Sequence, residues 1–243
     1  MVSLSCGLLA AARVALVLFM VLARPAAARA GEIRTNAVVI PEAPSWLTAR
    51  DVDKVVDRIQ RVLEWDIRRV NVVWYTDEAA FEQAHHLGPT VLAFSRKSDN
   101  SVQVGPRVDK ASFPAIFGHE LVHVIIYQKF KEAIPAWIEE GLANYLAGQG
   151  HVDYAWLKRH GVEGDVRKLV HPFQGIQPGA LARDEHARYH YLASQALTEM
   201  VAAHCDLEQL LQLSVGKKLE TYLSTFCGIT DLNGEFRSWI AAH

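Results

Sequence analysis

Cysteine is scarce in this chain, three in 243 residues, which excludes a disulfide-dense scaffold and any zinc site built on four thiolates. Neither sign of charge dominates, since 25 basic side chains stand against 27 acidic ones. A polybasic surface for nucleic acid is therefore not expected. Nine prolines and fifteen glycines are too few for a collagen-like or low-complexity chain, and no repeat of fixed period runs through the sequence. An apolar run of transmembrane length is also missing. The stretch Val14 to Ala23, bracketed by Arg13 and Arg24, is about half of the roughly 20 residues that a spanning helix needs.

That short run has a different use. Arg13, Arg24 and Arg29 are the only charges before Gly31, and Ala28-Arg29-Ala30 is a small-x-small site. Residues 1–30 therefore read as a secretory signal peptide cleaved after Ala30, so the protein is expected to be exported, periplasmic or secreted, with no stable membrane span in its mature form. Its removal leaves 22 basic against 27 acidic side chains, a net charge of −5. Residues 31–243 suit a single domain, with 31–68 as an N-terminal strand and helix. Cys6 leaves with the leader. Cys205 and Cys227 remain as the only pair, and in an oxidising compartment they are expected to be bonded.

The first half of the mature chain alternates strand and helix signals. Ile33 to Ile40 reads as a strand ended by the Pro41 and Pro44 region, and Ser45 to Ile67 as an amphipathic helix with apolar groups near a 3.6-residue period. Val70 to Tyr75, Thr90 to Ser95 and Ser101 to Val104 are further strands, with a short helix from Asp77 to Leu87 capped by Thr76. From Ser112 onward the pattern is helical: Ser112 to about Lys131, Pro135 to Ala147, Tyr154 to His160, Asp184 to about Ala203, Leu207 to Leu213, Leu219 to Phe226 and Asn233 to Ala242. Gly161 to Gly179 reads as loop, and 148–184 as the segment that shapes a cleft. A small sheet with helices, followed by a mostly helical part, predicts an α+β fold.

Chemistry concentrates in the helix that starts near Ser112. In His119-Glu120-Leu121-Val122-His123 the histidines are four residues, or about 40°, apart on a helix, so both imidazoles project from one face and can share a metal. Ile116, Phe117, Leu121, Val122, Val124, Ile125 and Ile126 wrap the helix in apolar groups. It should be buried, and a buried carboxylate with two imidazoles calls for a compensating cation such as zinc.

An open catalytic zinc site needs a third protein ligand. The metzincin pattern is excluded, because its glycine and third-histidine positions are Ile126 and Lys129. After a short turn, Ile134 to Tyr145 supplies a carboxylate on a helix that would run back antiparallel. Glu140 shares a small-residue face with Ala136 and Ala147, which makes it the expected third ligand. Glu139 is the alternative.

With those residues in hand, the chain resembles the gluzincin metallopeptidases, most closely small bacterial peptidase-MA-like domains of the thermolysin and aminopeptidase-N superfamily. The likeness is carried by His119-Glu120-Leu121-Val122-His123 and Pro135 to Tyr145. It implies a zincin-like helical part, zinc held by His119, His123 and Glu140, and hydrolysis of a peptide or protein substrate by a metal-activated water with Glu120 as general base. Of the oxyanion donor candidates Tyr189, His190 and Tyr191, the resemblance favours Tyr191. It also implies that Ser101 to Val104 is an edge strand aligning an extended peptide.

Two features depart from the family pattern. Sixteen residues separate His123 from Glu140, and Asn144 stands where thermolysin-like enzymes carry an aspartate, so the hydrogen bond to a histidine ligand comes from an amide or from elsewhere. The other readings open at this stage are an inactive zincin-like binding or scaffold domain and an amide hydrolase acting on cell-wall peptides. His85, His86 and His204 read as ordinary histidines, and Trp65, Trp74, Trp156 and Trp239 as core residues.

Overall fold

The structure, a computed structural model, describes residues 29–63, 68–148, 150–169 and 185–243. The expected signal peptide lies outside them except for Arg29 and Ala30, as do Trp65 and much of the loop expected from Gly161 to Gly179. The fold is α+β, a five-stranded sheet followed by helices.

The sheet has the order β1-β2-β3-β5-β4. Strands β1 (Arg29–Arg34) and β2 (Val38–Pro44) form an antiparallel hairpin. The single strand expected over Ile33 to Ile40 is thus broken at Thr35, whose hydroxyl accepts hydrogen bonds from the amides of Ala37 and Val38 and turns the chain. β2 runs on through Pro41, because its parallel pairing with β3 is confined to Val38 and Val39. Beyond them a missing N–H interrupts no ladder to β3.

Helix α1 (Ala49–Leu63) crosses to β3 (Val70–Trp74) and buries Val52, Val55, Val56, Ile59 and Leu63. It starts later than the pattern suggested, since Thr48 and Asp51 exchange hydrogen bonds that cap its first turn. Helix α2 (Glu78–His85) is capped by Asp77 rather than Thr76: the Asp77 carboxylate accepts the Ala80 amide at 2.8 Å, the nearer geometry for an N-cap.

Strands β4 (Ala93–Arg96) and β5 (Ser101–Val104) form a second hairpin. β5 pairs in parallel with β3, which corrects its expected edge position. Once β5 has taken the place beside β3, the antiparallel β4 must lie outside it, and β4 is the edge.

Helix α3 (Phe113–Lys129) packs on α1 and on the β4–β5 hairpin and carries ten buried residues, in keeping with its apolar sequence. Helix α4 (Ala136–Ala147), preceded by Pro135 and ended by Gly148 at φ 69°, packs between α3 and α6 (Glu185–His204). A Cβ on Gly141 would stand 1.9 Å from the Ser194 carbonyl oxygen, so α4 and α6 touch backbone to side at this point. Only glycine fits there.

Helices α5 (Tyr154–His160), α7 (Leu207–Leu213), α8 (Glu220–Thr225) and α9 (Leu232–Ala242) complete the chain, with a 3-10 turn at Val166–Lys168 inside the expected loop. Cys205 and Cys227 are disulfide-bonded across a separation of 22 residues, a closure that stabilises by about 3 kcal/mol on chain-entropy grounds. Trp74 is buried against Phe113 and Trp46, whereas Trp156 and Trp239 are only partly buried. No helix among the described residues is long and apolar enough to cross a membrane.

Candidate metal centre

The antiparallel approach of α3 and α4 brings together the residues expected to hold a metal. Ligand atoms of His119, His123 and Glu140, all buried, lie within 4.8 Å of one another. Nε2 of His119 is 3.2 Å from Nε2 of His123, and the Glu140 carboxylate reaches them at 3.1 Å and 3.5 Å.

These distances fit a metal. Two nitrogens bound to tetrahedral zinc at about 2.0–2.1 Å stand roughly 3.3 Å apart. A carboxylate only accepts, so Nδ1 of His123 carries the proton that it donates to Glu139 at 2.9 Å. Once Nε2 of His123 gives up its own proton, it turns a lone pair toward His119 and Glu140. Such a donor set satisfies a divalent cation.

Glu139 is not a ligand in this grouping. It lies one residue, about 100°, around α4 from Glu140, and binds the outer nitrogen of the ring whose inner nitrogen faces Glu140. The hydrogen bond sought from Asn144 is supplied to His123 by Glu139, while Asn144 faces the cleft. Glu139 Oε1 also receives Lys97 Nζ at 2.5 Å.

The electrostatics follow from this packing. Burial disfavours the charged form of Glu139, but the hydrogen bond from His123 and the Lys97 ammonium outweigh it and hold the carboxyl at about 2. Burial likewise opposes a charged His123. Its hydrogen bonds with Glu139 and Glu140 win, and raise it to about 10. Glu140 is held well below the usual carboxylate range, the two histidines overcoming its complete burial.

A cleft of about 990 Å³ opens onto the pair His119 and Glu120. One wall is the edge strand, with Ala93, Phe94 and Ser95. Tyr191, Leu192, Arg188 and Gln195 of α6 form another. Burial, followed by the charges of Glu140 and Glu120, pushes the Tyr191 phenol above its ordinary range. Tyr189 is turned away, its hydroxyl accepting the Glu163 amide at 2.9 Å, and His190 stacks edge-on with His186. Of the three donor candidates, Tyr191 is the one that lines the cleft.

Gly148 and Gly150 reach the cleft from the segment expected to shape it. His86 ends α2 in a left-handed conformation, and His85 Nδ1 accepts the Leu87 amide, both local structural roles. Lys97 was not foreseen. It reads as a polar turn residue, and nothing near it in sequence signals a contact 42 residues away. No family model and no curated protein matches the sequence.

Proposed function

We propose that the protein is an exported, zinc-dependent peptidase of gluzincin type. The observation that carries this reading is the convergence of His119, His123 and Glu140, with Glu120 on the same helix facing an open cleft. A purely structural zinc site closes its coordination with four protein ligands and has no use for a further carboxylate at a cleft wall. The leader-like N-terminus and the Cys205–Cys227 bond support export.

Zinc held by the three ligands would supply a Lewis acid that acidifies water and polarises a carbonyl. Glu120 takes a proton from the attacking water as its oxygen bonds to the carbonyl carbon. The same carboxyl returns that proton to the nitrogen as the C–N bond breaks. Tyr191, kept protonated by burial, donates to the carbonyl oxygen as negative charge develops there. The outer edge of β4, unpaired among the described residues and lying along the cleft, offers backbone pairing to an extended substrate, the role first expected of Ser101 to Val104.

The test is metal analysis of residues 31–243, with hydrolysis of a peptide library before and after chelation. One zinc per chain and cleavage abolished by chelator and restored by zinc support the reading. Zinc bound with nothing cleaved favours the binding domain, and cleavage confined to cell-wall peptides favours the specialised amide hydrolase.

A further inference from the structure

The Lys97 ammonium lies in the turn joining β4 to β5, outside both helices that supply the ligands, yet its Nζ meets the Glu139 oxygen that accepts His123 Nδ1–H. We infer that Lys97 is a positioning residue for the metal centre: it fixes Glu139, and through Glu139 the orientation and donor strength of His123. This rests on the reading of His119, His123 and Glu140 as metal ligands.

The physical case has three parts. Lys97 and His123 share one acceptor, Glu139 Oε1, whose side chain is 17% exposed. A carboxylate so enclosed needs both donors to stay charged and in place. Next, Glu139 and Glu140 contact the two imidazoles, and Glu120 lines the cleft beside His119; a divalent ion and the Lys97 ammonium together balance these three carboxylates. Without Lys97 the Glu139 carboxylate would lose one of its two anchors, and the His123 ring would lose both its fixed orientation and part of the donor strength that its Nδ1–H hydrogen bond supplies. Last, Lys97 directly follows β4, whose residues Ala93 to Ser95 line the cleft. The chain Lys97, Glu139, His123 therefore ties the cleft's edge strand to the metal.

A double-mutant cycle tests this on the full mature protein. Zinc affinity is measured by chelator competition, and the ligand field by the visible absorption of the cobalt-substituted protein. Lys97→Met should weaken zinc binding about tenfold, within the range for outer partners of metal-binding histidines, and should shift the cobalt bands. In a Glu139→Gln background the same substitution should change affinity less than about twofold, and Lys97→Arg should restore most of the loss.

Equal losses in both backgrounds, or unchanged affinity and cobalt bands in Lys97→Met, would overturn the role of Lys97 while leaving the metal centre standing. A wild type that binds neither zinc nor cobalt would overturn the centre itself, and the role with it. Lys97 is on a partly exposed turn, and Lys97→Arg controls for any loss of folding.

Discussion

Glu139 accepts the Nδ1 proton of His123 at 2.9 Å, while the next residue of the same helix, Glu140, faces the opposite nitrogen of that ring. Two consecutive side chains of α4 thereby clamp one imidazole from both sides. The clamp makes the metal-free site a proton trap.

The pH dependence of stability follows. His123 is raised from 6.5 to about 10 in the folded protein, so its contribution is complete below pH 6.5 and is lost as pH rises through 10. Glu139, lowered from 4.5 to about 2, contributes above pH 4.5 and loses that contribution as pH falls through 2. Metal-free protein should therefore lose melting temperature between pH 6.5 and 10. Zinc-loaded protein, in which the metal takes the place of the His123 proton, should show a much smaller decline over the same range in thermal melts.

Gly141→Ala should be severe. The added Cβ would meet the Ser194 carbonyl oxygen at 1.9 Å, a backbone atom that cannot rotate aside, so α4 and α6 must separate. Destabilisation of at least about 3 kcal/mol is expected, which lowers the melting temperature by roughly 6–12 °C. Calorimetry measures it directly.

Tyr191→Phe separates proton donation from metal binding. The hydroxyl lies beside the cleft under the influence of Glu140 and Glu120. Removing it should lower kcat about a hundredfold or more, leaving KM within a few fold and zinc content unchanged. Steady-state kinetics with metal analysis checks this.

How far the sequence carried depended on whether the deciding interaction was local. His119 and His123 were legible because helical periodicity alone puts them on one face, and Glu140 because a short turn leaves the next helix little choice but to return. Glu139 was harder. Its angle on α4 excluded it as the first-choice ligand, but only packing shows that it meets the far side of His123. Lys97 was invisible, since its partner is set by the packing of the β4–β5 hairpin on α3, which brings the hairpin turn beside Glu139 of α4. The same limit misplaced the edge strand: pairing order depends on contacts between segments, and the composition of Ser101 to Val104 is equally compatible with an inner or an outer position. Thr35 broke the first strand through two side-chain hydrogen bonds that outweighed a β-branched run.

Glu120→Gln is the most direct test, because it keeps size and shape while removing the proton acceptor. Zinc content and peptide hydrolysis should be measured on the same preparation. The account predicts about one zinc per chain, as in wild type, with hydrolysis reduced at least a thousandfold. A variant that keeps its zinc and cleaves peptides as fast as wild type would contradict it.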